Sequence, residues 1–132
     1  MQDGYGQPVG TPENEFAATL DRHLQAIASR DLATFEATVA EEVRLVGTDG
    51  NVIEGRVDAV EAHRQWFADP SWRFDPYVVF GDTKDGVGWA LAKVRYEAAQ
   101  GTSELWLFLL FTRDDADGSW RLSYDQGTVV KS

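Results

Sequence analysis

Two stretches constrain this chain more than any other feature. Val87–Glu97 and Ser103–Arg113 both read as long strands, and both are largely apolar on two faces. In the first, Val87, Trp89, Leu91, Lys93 and Arg95 alternate with Gly88, Ala90, Ala92, Val94 and Tyr96. In the second, Leu105, Leu107, Leu109 and Phe111 alternate with Trp106, Phe108 and Leu110. Successive side chains of a strand point to opposite faces, and an antiparallel sheet with one wet face shows apolar and polar residues in turn. These strands therefore need cover on both sides. Helices supply one cover. A second copy of the chain is the simplest source of the other, so a homodimer is expected through a sheet face carrying Ala92, Val94, Trp106, Phe108 and Leu110.

The helices lie ahead of these strands. Thr11-Pro12-Glu13 has the residues of a helix start, with Thr11 as cap, Pro12 in the first turn and acids at the positive end of the dipole. Phe16, Leu20, Leu24 and Ile27 follow at helical spacing, with His23 at the edge of that face. Asp31 caps a second, short helix whose apolar side is Leu32, Phe35 and Val39. The period then changes to that of a strand at Val43 and Leu45, with a turn at Thr48-Asp49-Gly50-Asn51 and a return at Val52-Ile53. Val57 to Phe67 is helical again, and Asp69-Pro70 stops it. Arg73–Phe80 is a strand whose Pro76 suits a sheet edge or a bend. Turns are expected at Asp82–Gly86, Gln100-Gly101 and Asp114–Gly118, and Trp120–Val130 is the last strand. Grouped helices followed by a meander define an α+β fold with an antiparallel sheet.

At 132 residues the chain fits one domain, expected over residues 11–132 after a flexible tail at 1–10. Twelve basic against 22 acidic side chains give a net charge of −10, which argues against nucleic acid and anionic membrane as partners. The longest apolar run, Leu105–Phe111, is too short for a membrane-spanning helix. Met1–Gly10 lacks the basic and apolar regions of a signal peptide, so a soluble, cytoplasmic protein is expected. There is no cysteine, hence no disulfide or thiolate metal site, and the two histidines lack a zinc-binding spacing. No metal or cofactor is expected.

The order of elements, together with Ser29-Arg30-Asp31-Leu32, Glu41-Glu42-Val43-Arg44-Leu45, Glu54-Gly55-Arg56 and the closing Gly118-Ser119-Trp120-Arg121-Leu122-Ser123-Tyr124-Asp125-Gln126-Gly127-Thr128, resembles the NTF2-like superfamily, in particular its SnoaL-like and DUF4440-type members. The resemblance covers roughly Thr11 to Thr128. It implies a cone: a curved antiparallel sheet whose concave side is closed by three helices from the N-terminal half around a hydrophobic pocket. It leaves the activity open, because that fold serves isomerases, cyclases, dehydratases, hydrolases and binding domains.

Three activities can be weighed on the residues that the resemblance aligns. An isomerase of the ketosteroid type needs a tyrosine, a base aspartate and a second acid where this chain has His23, Gly47 and a position near Leu109. That proton shuttle lacks its base. An epoxide hydrolase of the limonene type needs two aspartates and an arginine, of which Asp125 and Arg95 could supply two. A dehydratase of the scytalone type needs paired histidines, for which His23 and His63 are present.

The resemblance also implies the pocket lining. Asp125 is the leading catalytic candidate, since a carboxyl in an apolar cavity gains a raised pKa; the alternative is a structural aspartate paired with Arg95 or Lys93. His23 is the second candidate. Trp66, Trp89, Lys93, Arg95, Leu109, Ser123 and His63 are the expected ligand-binding residues, with Arg95 placed to clamp a carboxylate. The expected ligand is small and hydrophobic or carboxylate-bearing. The main reading is a ligand-binding or accessory domain. The alternatives are a cofactor-independent acid–base enzyme and a dimeric assembly domain.

Overall fold

The computed structural model describes residues 12–130. The expected tail at 1–10 and the Thr11 cap lie outside the described residues. Chain order is α1 (Pro12–Ala28), α2 (Leu32–Ala37), β1 (Val39–Val46), β2 (Val52–Glu54), α3 (Arg56–Phe67), β3 (Arg73–Lys84), β4 (Val87–Ala98), β5 (Gly101–Arg113) and β6 (Trp120–Val129). The strands form one curved, six-stranded sheet in the order β2-β1-β6-β5-β4-β3.

The sheet departs from the expected antiparallel pattern at one seam: β1 and β6 run parallel. Long-range pairing of this kind leaves no local mark in a sequence. Pro76 does sit on an edge strand, β3, where a missing N–H is harmless. The turn after it is tighter than expected. Lys84 pairs with Val87, so only Asp85 and Gly86 form the loop, with φ of 51° and 79°. Two positive φ values define the two-residue turn whose twist matches the flanking strands.

The helices close one face of the sheet. Phe16, Leu20, Leu24 and Ile27 of α1 are buried, as their spacing predicts. Arg30 ends α1 in the left-handed region at φ 60°. Asp31 then caps α2, accepting from the Thr34 amide at 3.2 Å and its hydroxyl at 2.7 Å. The Arg30 guanidinium lies 3.8 Å over the Trp72 ring and donates to the Asp69 and Trp72 carbonyls. It ties the α1–α2 junction to the connection between α3 and β3.

The direction of β4 corrects the sequence reading. Gly88, Ala90, Ala92 and Val94 are the residues that face the helices, and all four are buried. Trp89, Leu91, Lys93 and Arg95 therefore stand on the outer face. The cause is steric. A Cβ on Gly88 would lie 2.6 Å from the Phe16 ring, so α1 packs too close for large side chains there. A one-residue change of phase exchanges every side chain of a strand between faces. Ala92 and Val94 are fully buried beneath the helices and do not belong to the outer face assigned to them. β5 keeps its expected direction: Leu109 and Phe111 are buried within, and Trp106, Phe108 and Leu110 pair with Lys93, Leu91 and Trp89 on the outer face.

Candidate functional site

A pocket opens where α3 overhangs the ends of β3, β4, β5 and β6. Phe74, Tyr96 and Ser103 form one row across its floor, because Phe74 pairs with Tyr96 and Tyr96 with Ser103. Leu105 and Val129 form the next row. Trp66 is contributed by α3, and Thr48 by the turn after β1. These seven residues line a half-open pocket of about 350 Å³. Trp66 Nε1–H donates to the Tyr96 hydroxyl at 3.1 Å, which fixes helix to sheet at the pocket wall. Behind it Trp72 stacks on Trp66 with ring centres 4.2 Å apart, and its own indole N–H donates to the Trp66 carbonyl at 2.9 Å.

Asp125 lies further along the same face of β6. It pairs with Leu45 of β1 on one side and Leu109 of β5 on the other. No described residue forms a hydrogen bond or an ion pair with its carboxylate. Burial between apolar neighbours pushes its pKa up to about 7. In the ladder, Leu107 and Gly127 form the row between Asp125 and the pocket floor. Asp125 is four residues from Val129, roughly 13 Å along the strand.

The two histidines are placed differently. His23 is fully buried between Phe35 and Phe111. Its Nδ1 is 2.8 Å from the Thr38 hydroxyl, which itself donates to the Thr34 and Phe35 carbonyls. Thr38 thus spends its one proton on carbonyls and accepts from His23 Nδ1–H, leaving Nε2 as a buried acceptor with no partner among the described residues. Burial, and secondarily the field of His63, hold the pKa of His23 down to about 3. It is a neutral core residue, not a wall of the pocket. His63 is half-buried on α3. Its Nδ1–H donates to the Ala59 carbonyl at 2.8 Å and its ring stacks on Phe35 at 4.0 Å. Burial lowers its pKa, and its Nε2 has no hydrogen-bond partner among the described residues.

Of the expected ligand-binding residues, only Trp66 lines the pocket. Leu109 is fully buried in the core beside Asp125. Trp89, Lys93 and Arg95 are on the outer face, because α1 leaves no room for large side chains on the inner face of β4. There Lys93 meets Glu104 at 3.7 Å and the Trp106 ring at 5.0 Å, and Arg95 pairs with Glu97 at 3.0 Å. Ser123 occupies a bulge in β6, and its hydroxyl joins that of Thr112 at 2.6 Å on the outer face. Neither Lys93 nor Arg95 can hold a ligand carboxylate inside the cone. Tyr96, Phe74, Ser103 and Leu105 escaped the sequence reading. Tyr96 shares the face of Ala92 and Val94, so the correct phase of β4 would have found it. Among the described residues no group of three or more His, Asp or Glu side chains converges as a metal site. No described helix is long and apolar enough to cross a membrane.

A curved sheet closed by three helices, with an open-ended pocket beneath α3, is the architecture of NTF2-like, cystatin-like proteins. The SnoaL-like domain family matches residues 17–130, and the chain belongs to that family. An uncharacterised protein with a cystatin-like fold from Caulobacter vibrioides is similar in structure, with TM-score 0.78 and 19% identity over 92% of each chain. An NTF2-like protein of unknown function from Pseudomonas putida gives TM-score 0.76 at 11% identity, covering 89% of this chain and 86% of that one. An LEH-like epoxide hydrolase from M. tuberculosis gives TM-score 0.69 at 13% identity, covering 88% and 83%. At these identities the likeness is one of fold. No curated protein matches the chain.

Proposed function

We propose that the protein binds a small, mostly apolar organic molecule in the pocket beneath α3, as a ligand-binding or accessory domain. One observation carries this reading: Trp66, Phe74, Tyr96, Leu105 and Val129 line a half-open recess of about 350 Å³ that no described side chain fills. A concave, largely apolar site with a few polar groups is the usual form of a small-molecule pocket. A thermal-shift screen of small organic molecules against the wild type and Leu105→Trp tests it. Ligands that stabilise only the wild type support the reading. Equal shifts in both proteins, or no shift in either, reject it. A cytoplasmic location is part of the same proposal, supported by a chain without cysteine that needs no oxidising compartment.

A second reading is acid–base catalysis, favoured by Asp125. A carboxyl without a partner among the described residues, its pKa pushed up to about 7, is poised to move a proton near neutral pH. His63, whose Nε2 has no partner among the described residues, replaces His23 as the candidate assistant because His23 is sealed in the core. With a ligand in hand, turnover that survives Asp125→Asn unchanged would end this reading.

The outer face supports a homodimer as a third element of the proposal. Trp89, Leu91, Trp106, Phe108 and Leu110 gather there and are only partly buried in the single chain. Their contiguity suits an interface with a second copy.

A further inference from the structure

Resting on the pocket reading, we infer that the ligand is an uncharged aromatic compound carrying an acceptor oxygen, and that anionic compounds are rejected.

The charge argument comes from what surrounds the site. None of its lining residues, Thr48, Trp66, Phe74, Tyr96, Ser103, Leu105 and Val129, has a carboxyl, amine, guanidinium or imidazole side chain. Lys93 and Arg95 are on the opposite side of the sheet, engaged with Glu104 and Glu97. Arg30 stands behind Trp72, with its guanidinium on that ring and its N–H groups on backbone carbonyls, and Trp72 in turn lies behind Trp66. Two indole rings thus separate this cation from the pocket. The first ionisable group met along the pocket's own strand face is Asp125, a carboxyl. A bound anion would meet no counter-charge among the described residues and would face a negative group further in. A bound cation would find no carboxylate at the pocket either, with Asp125 roughly 13 Å along the strand.

The polar argument rests on Tyr96. Its oxygen already accepts from Trp66 Nε1–H, and its own proton has no acceptor among the described residues. Tyr96 is therefore held as a hydrogen-bond donor. The hydroxyl of Ser103, its partner across the β4–β5 ladder, also has no hydrogen-bond partner among the described residues. A carbonyl or phenolic oxygen on the ligand satisfies this pair. The aromatic argument rests on Trp66 and Phe74, whose rings stand at 83° with centroids 6.2 Å apart, a corner that offers both ring-face and ring-edge contacts to a planar ring.

Calorimetric titration at pH 8 with three naphthalenes, bearing a hydroxyl, a carboxylate or an aminomethyl group, tests the inference. The expected result is that naphthol binds at least about tenfold tighter than either charged analogue. Tyr96→Phe should weaken naphthol roughly fivefold, as loss of one hydrogen bond does, and Leu105→Trp should abolish it. If the carboxylate or the ammonium binds as tightly as naphthol and Leu105→Trp removes it, the pocket stands and the inference about charge is overturned. If Tyr96→Phe leaves naphthol binding unchanged, the assignment of Tyr96 as donor is overturned. If none of the three binds, both the inference and the pocket reading fall.

Discussion

The Cβ that Gly88 lacks would stand 2.6 Å from two ring carbons of Phe16. That contact sets how closely α1 lies on the sheet. Phe16 has no room to withdraw, because its ring meets Phe111 and Trp120 with centroids 5.5 Å away in each case. Gly88→Ala should therefore destabilise the fold by about 1–3 kcal/mol, the usual range for overpacking. Adding Phe16→Leu should restore part of the loss. Urea unfolding of the two variants checks this, and a Gly88→Ala protein as stable as the wild type would show that α1 shifts freely.

Asp125 should leave a mark on the pH dependence of stability. Its folded pKa, about 7, lies above the ordinary carboxyl value of 3.8. The folded state keeps a proton that the unfolded chain has released, so this group's contribution is fullest below about pH 4 and is lost as pH rises through 7. A tenfold difference in proton affinity between the two states corresponds to about 1.4 kcal/mol, giving a loss of roughly 2–4 kcal/mol. Asp125→Asn should be more stable than the wild type at pH 8 and nearly equal to it at pH 4. Denaturation midpoints across that range supply the comparison.

His23 acts in the opposite sense. Burial holds its pKa near 3, below the ordinary 6.5, so the unfolded chain takes up a proton that the folded state refuses. Its contribution is complete above about pH 6.5 and falls as pH drops toward 3. Between pH 4 and 6.5 the two slopes oppose, and the wild-type profile should be shallow there. With Asp125→Asn only the histidine slope remains, so stability should climb from pH 4 to 6.5. Thr38→Val, which strips His23 Nδ1–H of its acceptor, should cost about 1–3 kcal/mol at pH 7.

Phe108 and its ladder partner Leu91 sit at the middle of the outer face. If a second copy covers them, light scattering of the wild type gives twice the chain mass, and Phe108→Glu gives one chain mass with the fold retained by circular dichroism. A wild type that is monomeric at high concentration removes the dimer. Lys93→Ala and Arg95→Ala should leave ligand binding unchanged, and each should alter stability by no more than about 1 kcal/mol, as exposed ion pairs do.

The element order was legible because its signals are local. Asp31 caps α2 as its side chain foretells, the α1 stripe from Phe16 to Ile27 is buried, and Pro76 marks an edge. The phase of β4 was not, because alternation assigns a face only when one set of residues is polar. Both sets here are apolar. The discriminating signal was size: Gly88, Ala90 and Ala92 are small because a helix lies on them. That single inversion moved Trp89, Lys93 and Arg95 out of the expected site and hid Tyr96. Asp125 was placed by the resemblance and not by alternation: the bulge at Ser123 shifts the phase of β6, so buried Leu122 and Asp125 share the inner face although three residues apart, while Tyr124 and Gln126 bond to each other on the outer face at 2.6 Å.

The parallel seam between β1 and β6 has a consequence for how the chain assembles. β6 is the last strand in sequence and yet stands between β1 and β5. Leu45 finds its neighbour 80 positions later, at Asp125. Until residues 120–129 emerge, the β1–β2 ribbon and the β3–β5 meander are two separate edges with no strand between them. Closure is thus a late, long-range event, of the kind that slows folding. A ribosome-bound chain halted before Trp120 should expose those edges to proteases and to one another.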